Sequence, residues 1–200
     1  MMLTDILEKH SADDIFTLLR RLAKELDIQV DPFIDDPTPA AVLIPIVKHD
    51  QPTIVLTERT SHLSHHPGQI SFPGGRMDPE DVDLLSCVLR ETHEEIGVSL
   101  EQIVMINDLG LWPSYSGYVV KPFIGIMTPP INFTPCSHEV ADIFEVPLSY
   151  ILNKKNYQRI EKSTPFPHHY YQIDYQGKVI WGLTASLLIL LAALVDYHQI

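Results

Sequence analysis

Residues 74–98 read GGRMDPEDVDLLSCVLRETHEEIGV: a glycine pair, an acidic spacer, and a helical pattern that closes on another glycine. Gly74 and Gly75 permit a tight turn in which the backbone can approach a ligand or a metal. Asp81 is placed to cap a helix start. Leu84, Leu85, Val88 and Leu89 then recur at helical spacing, and Gly97 suits the C-terminal cap. On such a helix Glu91, Glu94 and Glu95 stand at i, i+3 and i+4 and share one face. Carboxylates crowded in this way repel, and Arg90 and His93 are the nearby cations. A divalent cation relieves the repulsion, and carboxylates with water are what Mg²⁺ prefers. An acidic run alone equally describes a solvated helix face. The glycines at both ends and the Phe72-Pro73 lead-in favour a built site.

Glycine pair, spacer, then Arg90-Glu91-x-x-Glu94-Glu95-x-Gly97 resembles the Nudix box of Nudix hydrolases. Those enzymes use Mg²⁺ or Mn²⁺ to cleave nucleoside diphosphates linked to another group. The spacer from Gly75 to Arg90 is one residue longer than usual, and Asp81 stands where a glutamate is common. This insertion is similar to the coenzyme A pyrophosphatase branch of the superfamily. That branch also has a signature upstream of the box, and Leu56, Thr57, Arg59, Gly68, Phe72, Pro73, Gly74 and Gly75 fall in its register. Thr60 replaces a usual serine or alanine. Ser64 stands where a second arginine is expected, a loss that would weaken the grip on a substrate phosphate unless His62, His65, His66 or Arg76 substitutes. A neutral histidine is a poorer anion partner than arginine, and its help fades as pH rises.

Composition sets outer bounds. Two hundred residues suit one domain with a sizeable core, and the 45% hydrophobic content is ordinarily globular. A net charge of −12 argues against a general nucleic-acid partner, since no basic excess exists to neutralise phosphates. Cys87 and Cys136 have no metal or redox spacing; Cys87 reads as core, and a reducing, cytoplasmic setting is the simplest expectation. His62, His65 and His66 lack nearby cysteines and fit no common structural zinc site. Residues 1–30 lack the apolar core of a signal peptide. The apolar run from Ile180 to Val195 is short for a membrane span and is interrupted by Gly182, Thr184 and Ser186, so it reads as a buried helix, with no membrane partner.

Along the chain, residues 1–30 are expected as an N-terminal amphipathic helical segment and residues 31–200 as the Nudix hydrolase domain. Within the first, Ser11 to Leu26 carries a capping pattern with Asp14 and an apolar stripe of Ile15, Leu18, Leu19 and Leu22. The stripe needs cover, either from the domain or from a second subunit in a homodimer. Asp31 to Pro39 reads as a loop. Ala40 to Val47 and Thr53 to Arg59 read as a hairpin of strands, with Pro45 weakening the first. Ile103 to Trp112 and Tyr118 to Met127 read as strands joined by the Pro113–Gly117 turn, with Tyr115 and Tyr118 able either to pack or to stack on an adenine. Phe144 to Leu148, Tyr157 to Arg159, Tyr170 to Tyr175 and Lys178 to Trp181 follow, and Thr184 opens the last helix.

The pattern predicts an α/β chain, and the resemblance implies the Nudix fold, a mixed β-sheet sandwiched between helices. It also implies an enzyme that hydrolyses the pyrophosphate bond of coenzyme A or an acyl-coenzyme A to 3′,5′-ADP and (acyl-)4′-phosphopantetheine. Alternatives are a broader hydrolase of ADP-ribose, dinucleotides or nucleotide triphosphates, or a Nudix-fold sensor that binds a nucleotide without cutting it. Glu91, Glu94 and Glu95, with the Gly75 carbonyl, would hold Mg²⁺ or Mn²⁺. Arg90 would orient a glutamate, and Glu139 beyond the box is a further candidate for assisting the metal or the water. Arg59, His66, Gln69 and Arg76 are the candidate substrate contacts.

Overall fold

The computed structural model of the chain describes residues 2–28, 36–62, 67–163 and 169–198. Its scaffold is a mixed sheet built on β1 (Thr38–Val47), whose near-continuous apolar run is explained by cover on both faces. Strand β1 lies parallel to β7 (Tyr118–Met127) along its whole length. On its other edge it pairs antiparallel with β4 (Gly74–Arg76) through Ala40 to Val42 and with β2 (Thr53–Arg59) at Ile46 and Val47. Pro45 falls in the gap between those two pairings, where its missing N–H breaks no ladder bond on that edge.

The hairpin expected from β1 and β2 therefore exists but is brief. Most of β2 runs along β8 (Val140–Pro147), and its end also holds β3 (Ile70–Ser71). The stretch expected as one strand from Ile103 to Trp112 is two, β5 (Ile103–Asp108) and β6 (Trp112–Pro113), both paired with β7. Between them Gly110 adopts φ +74° and its N–H donates to the Asp108 carboxylate at 3.0 Å, turning the chain. A separate antiparallel sheet follows, made of β9 (Tyr157–Glu161), β10 (His169–Tyr175) and β11 (Lys178–Trp181). Lys178 clamps it to the main sheet, with Nζ 2.6 Å from Glu58 and 2.8 Å from Asp142.

Side chains of β1 alternate between two cores, as a strand's period of two requires. Ala41, Leu43 and Val47 pack with Cys87, Val88 and Ile96 of α3 (Leu84–Ile96). Ile44 and Ile46 enter a larger core with α5 (Gly182–Tyr197), whose residues from Leu187 to Val195 are all buried. Helix α5 begins two residues before Thr184, the expected start. No described helix is long and apolar enough to cross a membrane.

The larger core also takes in the N-terminal helices, α1 (Leu3–Lys9) and α2 (Ala12–Glu25), and the single turn α4 (Leu148–Ile151). Ser11 caps α2 by accepting from the Asp14 N–H at 3.2 Å. Ile15, Leu19 and Leu22 are buried with the α5 leucines, so the stripe is covered within the chain. Helix α1 was not legible: Leu3, Ile6 and Leu7 make a stripe too short to stand out, yet all three are buried. Helices on both faces of a mixed sheet make this an α/β/α sandwich, as expected.

Candidate active site

Helix α3 starts at Leu84 because Asp83, and not Asp81, caps it: Asp83 accepts from the Ser86 N–H at 2.7 Å, and Ser86 Oγ accepts from the Asp83 N–H at 2.9 Å. Asp81 has another task. It accepts two bonds from Arg90, from Nε at 3.0 Å and Nη2 at 2.9 Å, and these hold its carboxyl down to about 2. The same guanidinium donates to Glu91 at 3.0 Å and to Glu94 at 2.9 Å, and it lies outside the cavity wall. Arg90 is thus hydrogen-bonded to two of the three box glutamates. Gly97 ends the helix at φ +71°, donating to the His93 carbonyl at 2.9 Å. Cys87 is fully buried among these elements, and burial pushes its thiol up to about 12.

The three box glutamates share a face but not an environment. At about 100° per residue, Glu95 lies about 40° to one side of Glu91 and Glu94 about 60° to the other. That rotation turns Glu95 into the protein and Glu94 into solvent, with side-chain exposures of 3% and 57%. Glu95 accepts from the Gly74 N–H at 2.9 Å and has Arg59 at 3.7 Å. Burial, reinforced by the charge on Glu91, pushes its carboxyl up to about 8 despite both partners. Burial also raises Glu91, against the pull of Arg90.

The glycine pair has separate roles. A Cβ on Gly74, at φ +141°, would stand 2.3 Å from the Ala41 carbonyl oxygen, so no larger residue fits between β4 and β1. A Cβ on Gly75 would stand 2.6 Å from the Glu91 carboxylate. The absence of that atom lets Glu91 lie against the turn.

Glu91, Glu95, Gly74 and Gly75 line a cavity of about 640 Å³. Arg59, Gln69, Arg76 and Glu139 line it as well, so the candidate substrate contacts within the described residues and the glutamate beyond the box are brought together. Glu94 is not in the lining, and His66, with Ser64, lies outside the described residues. Glu139 stands just before β8 in a turn pinned to the end of β2. The Thr60 N–H donates to the Glu139 carbonyl at 2.9 Å, and the Thr60 hydroxyl donates to the His138 carbonyl at 3.1 Å.

Tyr115 and Tyr118, offered by the sequence as packing or stacking residues, line the cavity. Sequence reasoning missed the rest of the wall, which includes Trp112, Lys162, His169, Tyr170, Trp181, Leu183 and Leu187. Most of these come from the second sheet and α5, which no local pattern connects to the box.

Among the described residues, no three carboxylate, histidine or cysteine side chains converge into a ready-made metal shell. Arg90 holds Glu91 and Glu94, while Gly74 and Arg59 hold Glu95. The donor chemistry nonetheless fits a hard divalent cation: carboxylate oxygens and the Gly75 carbonyl, with the Glu95 carboxyl pushed up to about 8 by burial. The cation would compete with Arg90 for Glu91 and Glu94.

Residues 37–165 match the family model of the NUDIX domain. The chain belongs to the Nudix family. Over 150 residues it is 39% identical to the uncharacterized Nudix hydrolase NudL of Enterobacter sp. (strain 638), covering 74% of this chain and 78% of that protein. It is 40% identical to the NudL of Yersinia pestis (strain Pestoides F), covering 74% and 75%. Among solved structures, the MutT protein from Methanosarcina mazei Go1 superposes with a TM-score of 0.51 at 15% identity, covering 83% of this chain and 99% of that one. A MutT/nudix family protein from Enterococcus faecalis gives 0.50 at 15% identity, covering 94% and 75%. These structural likenesses speak for the fold. As a Nudix hydrolase, the protein is a pyrophosphohydrolase of nucleoside diphosphate derivatives, an activity that in this family generally uses divalent metal ions.

Proposed function

We propose that this Nudix hydrolase cleaves the pyrophosphate bond of coenzyme A or an acyl-coenzyme A, releasing 3′,5′-ADP and 4′-phosphopantetheine or its acyl form. The observation that carries the reading is the meeting of two sequence signatures in one cavity. Arg59, from the upstream coenzyme A pyrophosphatase pattern, stands beside Glu95 of the box, and Gly74 from the same pattern donates to it. A large, mostly apolar wall continues from this polar end and suits a long substrate arm.

Mg²⁺ or Mn²⁺ would be held by Glu91, Glu94, Glu95 and the Gly75 carbonyl, where it would offset diphosphate charge and acidify a bound water. Arg59 and Arg76 bring positive charge to the anionic substrate in a chain of net charge −12. The proton of the water that attacks phosphorus, in line with the departing phosphate oxygen, goes to Glu139. Among the described residues Glu139 has no arginine or lysine partner, whereas Glu91 and Glu94 are held by Arg90 and Glu95 by Arg59.

Ser64, in place of the signature's second arginine, favours one other reading: a broader nucleoside diphosphate hydrolase acting on ADP-ribose or dinucleotides. Product analysis separates the two. Purified protein with Mg²⁺ or Mn²⁺ is given coenzyme A, ADP-ribose and a dinucleotide in parallel, with Glu94→Gln as the blank. Fastest release of 3′,5′-ADP and phosphopantetheine, identified by mass, is the expected result. Faster turnover of another nucleotide would sink the coenzyme A reading while leaving the hydrolase intact.

A further inference from the structure

We infer that the second sheet carries a nucleotide subsite, in which Trp181 and Tyr170 take the base and Lys162 takes a phosphate on the ribose that is not part of the bond being cut. The inference rests on the proposed cleavage at the box carboxylates and adds what the second sheet selects.

Strand register places these residues together. Tyr170 pairs with Ile160, and Gln172 pairs with Trp181. Since side chains alternate, Tyr170, Trp181 and Lys162, two residues beyond Ile160, belong to one face. The side chains bear this out. The Tyr170 and Trp181 rings meet edge to face with centroids 5.9 Å apart, and Lys162 Nζ stands 5.3 Å from the Tyr170 ring centroid. All three line the cavity, and Trp181 is 40% exposed, an aromatic surface offered to a ligand rather than spent in the core.

Charge accounting singles out the lysine. Of the arginine and lysine side chains in the cavity wall, Arg59 is taken by Glu95 and Arg76 by Asp78, each at 3.7 Å. Lys162 has no carboxylate partner among the described residues, in a protein with an acidic excess. An aromatic face beside an unspent ammonium recognises a base that carries a nearby anion. The scissile diphosphate belongs with the box turn, so the anion at Lys162 is a further one. Tyr170 and Trp181 lie beyond residue 165, where the match to the shared domain ends.

The test compares ligands that differ only in that phosphate. Binding of 3′,5′-ADP and 5′-AMP to the full-length protein is measured by calorimetry, and by quenching of tryptophan emission, with Trp181→Phe identifying the emitter. The wild type is expected to favour 3′,5′-ADP by about tenfold, the effect of one charge-assisted contact. Lys162→Met should erase the preference, and Lys162→Arg should keep it. In turnover, coenzyme A should have a lower KM than dephospho-coenzyme A, and Lys162→Met should bring the two KM values together. Equal affinity for both nucleotides in the wild type, or a preference untouched by Lys162→Met, overturns the inference. Cleavage of both coenzymes with equal KM would also overturn it while leaving the proposed hydrolysis standing. A Lys162-dependent preference for 3′,5′-ADP without cleavage of either coenzyme would uphold the subsite and overturn the proposed substrate.

Discussion

Glu95 is where burial and charge conflict most openly. Its carboxyl titrates near 4.5 in an unfolded chain and is pushed up to about 8 in the fold. Between those values the native state binds the extra proton, so stability falls as pH rises through this window. In chelator, urea unfolding of the wild type should show a decline from pH 5 to pH 8 on the order of a few kcal/mol. Glu95→Gln should flatten it, leaving the variant more stable than the parent at pH 8 and close to it at pH 5. An unchanged decline in Glu95→Gln would place the titration elsewhere. Glu94 presents the opposite case. It is exposed and, among the described residues, hydrogen-bonded through its side chain to Arg90 alone. Glu94→Gln should therefore leave the melting temperature within about a degree, as surface changes do. If its carboxylate serves the cation, kcat should fall by about a hundredfold or more. Unimpaired turnover would remove Glu94 from the site.

At the scale of the element, the decisive unit is the turn between β4 and α3. Its glycines are not interchangeable, because one is limited by backbone and the other by the Glu91 side chain. Gly75 has no positive φ, so alanine there keeps an ordinary conformation, and its nearest collision is with the Glu91 carboxylate, at 2.6 Å. Gly75→Ala is expected to fold, with loss of turnover of about a hundredfold through displacement of one ligand group. Circular dichroism and steady-state kinetics on the same sample would check it, and full activity would show that Glu91 works from another position. The acidic spacer shows how an element can be misread locally. Asp81 and Asp83 both suit a helix cap. Arg90 reaching back nine residues to Asp81 leaves Asp83 as the cap.

Across the whole molecule, the N-terminal helices are part of the structural core and not an appendage to it. Leu3, Ile6, Ile15 and Leu19 share a cluster with α5 and with the inner face of β1. Leu19 is fully buried and does not line the cavity. Leu19→Ala should therefore cost about 2–5 kcal/mol of stability while leaving kcat of the folded protein near wild type. Denaturant melts beside kinetics would decide it, and a cost under about 1 kcal/mol would mean that α2 is only loosely attached. The cavity is likewise a product of the whole chain. Helix α3 supplies Glu91 and Glu95, while the main sheet, the second sheet and α5, the two sheets held together by the Lys178 clamp, share its aromatic and apolar wall.

Sequence alone was sufficient for whatever depends on neighbours along the chain. It placed Glu91, Glu94 and Glu95 on one helical face, ended that helix at Gly97, marked the apolar C-terminal run as a core helix, and carried the Nudix resemblance. Spacing within a helix or strand is a short-range property, readable without knowing what packs against it. Tertiary structure alone decided which of the three glutamates is buried, that Arg59 stands beside Glu95, and that Tyr170, Trp181 and Lys162 complete the cavity. Burial and charge pairing depend on partners far away in sequence, and only the packed sheet and helices bring those partners within reach.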